Sequence, residues 1–173
     1  MAAMELSLYS SLFIFVIAIF AGFIDTLAGG GGLLTVPALL TVGMPPAMTL
    51  GTNRLQSSFG ELTSILRFFK KGHLNFRKIS LGLVCTTAGA ALGTWLIVLM
   101  HPQHLDKIIP FLLLGVLAYS IFAPSVTATL SKAKMSFFVF NISMGLLIGF
   151  YNGFFGPGTG SFWIIAFVYL LQF

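Results

Sequence analysis

Gly22-Phe23-Ile24-Asp25-Thr26-Leu27-Ala28-Gly29-Gly30-Gly31-Gly32 and Gly149-Phe150-Tyr151-Asn152-Gly153-Phe154-Phe155-Gly156-Pro157-Gly158-Thr159-Gly160 are glycine-rich breaks inside runs of apolar residues. Aligned without gaps, they match at Gly22/Gly149, Phe23/Phe150, Gly29/Gly156 and Gly31/Gly158, and the acid Asp25 faces the amide Asn152. Backbone released from helical bonding is expensive in hydrocarbon, so it persists only where protein covers it or a cavity needs it. Two such breaks at corresponding places in two halves of a chain point to a transport site.

Composition sets the class. The chain has 173 residues, 57% hydrophobic and 8% charged, with a mean hydropathy of +1.00. A soluble domain is nearer a quarter charged, so the sequence reads as an integral membrane protein. The net charge of +5 does not imply nucleic acid, because the basic residues sit in short connections: Lys70, Lys71, Arg77 and Lys78 in one, Lys132 and Lys134 in another. That is the positive-inside pattern, with no basic stripe interleaved with aromatics. The lone Cys85 lies in an apolar run and reads as packing. No basic stretch precedes the N-terminal apolar run, which favours a retained helix over a cleaved signal.

Outward from the breaks, the apolar runs predict an all-α bundle of spanning helices. Residues 8–42 form one unit broken at 25–32, its second part too short to span alone. Helices follow at 47–69, 79–100 and 108–122, with a short link at 101–107 and a polar loop at 123–134. A further span at 135–151 leads to the second break at 152–161 and a half-helix at 162–173. The organisation is therefore a first repeat over 1–134 and the start of a second over 135–173. Its remaining helices have no counterpart, so the chain reads as a fragment or as half of a site completed by another chain. Placing the basic loops in the cytoplasm inverts the second repeat relative to the first if the first helix starts outside. Gly89/Gly93 and Gly145/Gly149 are GxxxG pairs suited to close helix packing.

Candidate site residues fall in three groups. Glycine runs before a half-helix can turn N–H groups toward one point, where the helix dipole favours an anion; Thr35, Thr159 and Ser161 could add hydroxyl donors. The competing reading is a simple kink with glycine chosen for closeness. The second helix carries an unusual polar load: Asn53, Ser57, Gly60 and Ser64 share one face, and Arg54, Ser58 and Glu61 an adjacent stripe. Ionisable groups within a span cost roughly 2.5–3.5 kcal/mol each and normally face an interior or water. Arg54 could attract an anion or snorkel to the interface; Glu61 could carry a coupling proton or pair with a neighbour; Asp25 could exchange a proton or cap the following turn. His101, His104 and Asp106 match no standard metal spacing, and no cofactor is expected.

The run Gly22-Phe23-Ile24-Asp25, then Gly29 to Gly32, Pro37, and Thr52-Asn53-Arg54-Leu55-Gln56, resembles the sulfite exporter TauE/SafE family of bacterial membrane proteins. Gly156-Pro157-Gly158-Thr159-Gly160 sits where that family's second repeat begins. The resemblance implies a polytopic carrier of the bacterial inner membrane with inverted repeats. It implies a small anion as substrate, often a sulfur oxyanion or organosulfonate, coupled to an ion gradient of protons or sodium. Carried over onto matching positions, the binding candidates are Gly29, Gly30, Gly31, Gly32, Asn53, Arg54 and Gln56, with Gly156, Gly158, Thr159 and Gly160 in the second half. Ser57 joins them from its helix face, and Asp25 and Glu61 are the coupling candidates.

Two other classes compete. A channel subunit is suggested faintly by Thr41-Val42-Gly43, but Met44-Pro45 follows where a filter needs Tyr-Gly. An enzyme would need a base for Ser57 or Ser58, and all three histidines lie in expected loops. No catalytic residue is assigned.

Overall fold

A computed structural model describes residues 7–72, 76–122 and 135–171. These form α1 (Leu8–Ala28), α2 (Gly32–Thr41), α3 (Pro46–Lys70), α4 (Phe76–Leu99), α5 (Pro102–Phe122), α6 (Phe137–Phe154) and α7 (Thr159–Ala166), continued by a π-turn over Phe167–Leu171. No strand occurs among the described residues. The all-α bundle with glycine-broken helices is thus the observed fold. By length and composition Leu8–Thr26, Ile79–Leu99 and Phe137–Phe154 can cross a membrane, and α2 and α7 are shorter apolar helices.

Local chemistry sets the helix ends. Ser7 caps α1 by accepting from the Ser10 N–H at 3.2 Å, and Ser136 caps α6 by accepting from Val139 N–H at 3.3 Å. Pro46 opens α3 in the first turn, where a missing N–H is no loss. Arg67 and Lys70 close α3 against the negative end of its dipole.

The breaks are tighter than the sequence suggested. α1 runs through Asp25 to Ala28, so the first gap is residues 29–31 rather than 25–32. α6 likewise carries Asn152 to Phe154, and the second gap is 155–158 rather than 152–161. In both cases the polar residue rides in the last helical turn. Helix α5 also starts earlier than expected: Pro102 begins it, so residues 102–107 are its first turns and not a link. Pro110 therefore lies inside the helix rather than at its start. The expected polar loop at 123–134, with Lys132 and Lys134, lies outside the described residues, as do residues 73–75 of the first basic loop.

Two packing units emerge. α4 lies against α6 along interlocked small residues. A Cβ at Gly89 would fall on the Leu146 carbonyl, at Gly149 on Thr86 backbone, and at Gly153 on the Ala90 carbonyl. Thr94 Oγ1 donates to Gly153 O across the seam at 3.1 Å. Such backbone contact is how membrane helices gain van der Waals attraction without a hydrophobic drive. In the second unit α2, α3 and α5 enclose Val36, Leu50, Leu105, Ile109 and Val116, and Phe155 of the second break is buried among them. The second break is thereby keyed into α2, α3 and α5.

Candidate functional site

The two breaks meet. A Cβ at Gly29 would land on Gly160 backbone, and one at Gly32 would sit 3.1 Å from Pro157. Gly29 is the C-cap of α1, with a φ of 67° and its N–H donating to Asp25 O at 3.0 Å. Gly156 and Gly158 turn the second break with φ of 100° and 81°. These left-handed conformations strain any residue with a side chain.

Where the breaks touch, a cavity of about 500 Å³ opens against α3 and α4. Of the binding candidates, Gly29, Gly32, Asn53, Arg54 and Ser57 line it from the first break and α3. Gly156, Thr159 and Gly160 line it from the second, and both carboxylates, Asp25 and Glu61, border it. The N-terminal ends of α2 and α7, at Gly32 and Thr159, therefore open onto the same space.

Arg54 dominates the electrostatics. It is half-buried on α3, and its Nη2 is enclosed without a hydrogen-bond partner. That nitrogen lies beside the second break, 3.2 Å from where a Gly156 Cβ would stand. Its neighbour Asn53 is buried, with Oδ1 also unpartnered. Buried polar atoms are nearly always paired, so each orphan calls for an explanation.

Asp25 is tied on both oxygens. Gly31 N–H donates to Oδ1 at 2.7 Å, and Ser57 Oγ donates to Oδ2 at 2.6 Å. The carboxylate thus secures the first break and binds it to α3. Its counterpart Asn152 does related work in the second break, where Thr159 Oγ1 donates to Oδ1 at 3.3 Å. Tyr151 adds a strap by donating its hydroxyl proton to Pro157 O at 2.6 Å.

Four of the binding candidates face elsewhere. Gln56 is held between helices, its Oε1 accepting from Thr35 Oγ1 and its Nε2 donating to Ala18 O, both at 2.9 Å. Gly31 is buried, and a Cβ there would fall on the Ala21 carbonyl. Gly158 packs on Val116 of α5, and Gly30 meets only Ile24. Thr35 points to Gln56 rather than into the cavity. The structure adds wall residues that sequence reasoning did not select: Thr26, Thr86, Asn152, Trp163 and Ile164. Asn152 was legible through its alignment with Asp25; Thr86 and Trp163 had no comparable signal.

A family model, Sulfite exporter TauE/SafE, matches residues 14–173. The chain belongs to the sulfite exporter TauE/SafE family. Among curated relatives, the "Probable membrane transporter protein ORF9" of Sinorhizobium is 41% identical over 98% of this chain and 65% of its own length. A "Probable membrane transporter protein" of Haemophilus influenzae is 45% identical over 92% of this chain and 63% of its own. The Bacillus subtilis protein named "Probable membrane transporter protein YjnA" is 25% identical over 94% of this chain. The chain spans a little under two thirds of the first two relatives. No solved structure matches it. Membership and the three apolar helices make this a membrane protein.

Proposed function

We propose that the protein is a secondary carrier of a small anion in the bacterial inner membrane, crossing it several times and working by alternating access around the two breaks. The observation that carries this reading is Arg54 Nη2, enclosed and unpaired where the breaks meet. An enclosed guanidinium nitrogen without a partner is costly, and an anion with two or three acceptor oxygens would satisfy it. The start of α7, at Thr159 just past Gly156, adds the positive end of a helix dipole to the break that Arg54 faces. The hydroxyls of Ser57 and Thr159 also line the wall, their protons donated to Asp25 and to the second break. Relatives named as probable membrane transporters support transport rather than catalysis.

A sulfur oxyanion is the substrate class that the family description favours, and an organosulfonate presents the same anionic sulfur–oxygen group. The repeats, inverted and meeting near the bilayer midplane, would rock against each other across the cavity, with α3 as the shared wall. Movement of the anion is coupled to a cation gradient through the carboxylates that border the same space, Asp25 and Glu61.

Anion binding to the purified chain in detergent tests this. Sulfite, sulfate, sulfoacetate, taurine and formate are screened by thermal shift, where a ligand at 100 times its dissociation constant adds about 2.7 kcal/mol. At least one anion should raise the melting temperature of the native chain and fail to do so for Arg54→Gln. Equal responses from both proteins would remove Arg54 from the site and sink the reading.

A further inference from the structure

Two carboxylates and one guanidinium border the cavity, so its walls are formally negative before any anion arrives. The charges are unevenly placed. Arg54 lies against the second break, whereas Asp25 is fixed to the first. An anion seated at Arg54 therefore leaves the first break with an uncompensated negative charge on the same cavity wall.

Three oxygen-bearing side chains border the cavity from α1 and α3. Ser57 Oγ is 2.6 Å from Asp25 Oδ2, and Asn53 stands one helical turn before Ser57 on the same face of α3. Asn53 is only 3% exposed, borders the cavity, and its Oδ1 accepts no hydrogen bond. Helix α1 ends at Gly29 on the cavity wall, so the negative end of its dipole opens there, beside the positive start of α2 at Gly32.

Building on the anion-carrier reading, we propose that the first break binds a small monovalent metal cation, held by Asn53 Oδ1, Asp25 and Ser57 Oγ. This ion is the coupling partner of the anion at the second break. A proton on Asp25 gives a single O–H that serves one acceptor at a time, whereas a metal cation takes the amide oxygen, the carboxylate and the hydroxyl oxygen as ligands together. Divalent ions prefer richer carboxylate cages, and no group of three or more His, Cys, Asp or Glu occurs among the described residues. Broken-helix carriers place coupling ions at such helix C-terminal ends.

The test uses the purified chain in sodium, potassium or choline gluconate at equal ionic strength and fixed pH. Sodium alone should raise the melting temperature saturably, with choline giving no shift. The anion found in the screen should bind about tenfold tighter in sodium, and sodium about tenfold tighter with that anion, since coupling is reciprocal. Asn53→Leu should abolish the sodium response, while Asn53→Asp should tighten sodium and weaken the anion. Should Asn53→Leu not fold, Ser57→Ala serves in its place, with a sodium affinity at least tenfold lower. Anion binding of equal strength in all three salts would overturn the cation site and leave the carrier reading intact. Sodium stabilisation without any anion response would overturn the carrier reading and leave the cation site. A pH-dependent, sodium-independent anion affinity would assign coupling to a proton and overturn this proposal.

Discussion

The two breaks are built alike and charged differently. Each follows a long apolar helix, turns through a left-handed glycine at Gly29 or Gly156, and restarts in a short helix at Gly32 or Thr159. Each is pinned by a polar residue in the last turn of the preceding helix. In the first, that residue is Asp25, which bonds to Gly31 N–H and reaches α3 through Ser57. In the second it is neutral Asn152, bonded to Thr159, and the neighbouring charge is the Arg54 guanidinium. A duplicated backbone solution thus serves two electrostatic purposes: one break presents a carboxylate and the other faces a cation.

The largest effect should come from removing the shared geometry. Gly29→Ala places a side chain at a φ of 67° and on Gly160 backbone. Left-handed strain and overpacking together should cost roughly 3 kcal/mol, about 10 °C in melting temperature at this size. Gly30→Ala is the matched control, because its nearest atom would be Ile24 Cγ2 at 3.8 Å; it should change stability by less than about 0.5 kcal/mol. Equal melting temperatures for the two variants would mean that the breaks do not touch.

Next comes the charge at the second break. Arg54→Gln keeps much of the side chain's length and removes the cation, so bound anion should weaken at least roughly thirtyfold while the helical circular dichroism is unchanged. A smaller change, below about threefold, would place the anion elsewhere. The comparison sharpens further when the pinning residues are exchanged. Asp25→Asn retains an acceptor for Gly31 N–H and deletes the carboxylate. It should abolish the sodium response and, by lifting repulsion, strengthen anion binding in choline about tenfold. Asn152→Asp should do the opposite near Arg54 and weaken the anion by a similar factor. Anion calorimetry on both variants decides it; a change below about twofold for Asn152→Asp would place the anion away from the second break.

Much of this architecture could be read from residue order. The apolar runs located α1, α3, α4 and α6 to within a few residues, and the glycine runs located both breaks. The helix ends were misjudged because Asp25 and Asn152 look like loop residues until their side chains are seen bonding forward into the gap. Pro102-Gln103-His104 gave no hydropathy signal for the start of α5, since a first turn outside the apolar run reads as a link. The GxxxG pairs announced close packing but not that α4 and α6 use them on each other. Gly31 shows the limit of motif reasoning. It sits in the glycine run with Gly29 and Gly32, yet it packs on Ala21 and serves the fold. Trp163 joined the wall only because α7 docks beside α1, a tertiary fact without a local sequence cause.

Gln56 provides the finest division between scaffold and site. It lies two residues after Arg54 in the stretch that resembles the family, and motif transfer made it a binding candidate. Helical geometry turns it away: two residues along a helix is about 200°, so Gln56 faces α1 and α2 while Arg54 faces the cavity. There it links Thr35 on α2 to Ala18 on α1. Gln56→Leu should lose those two hydrogen bonds and about 1 kcal/mol of stability. The loss stays small because Thr35 Oγ1 still donates to Gly31 O at 3.2 Å. Anion affinity should stay within about twofold, since the first break remains pinned by Asp25. A tenfold loss of affinity with the melting temperature unmoved would make Gln56 a ligand contact, and the wall on the α1 side would then have to be redrawn.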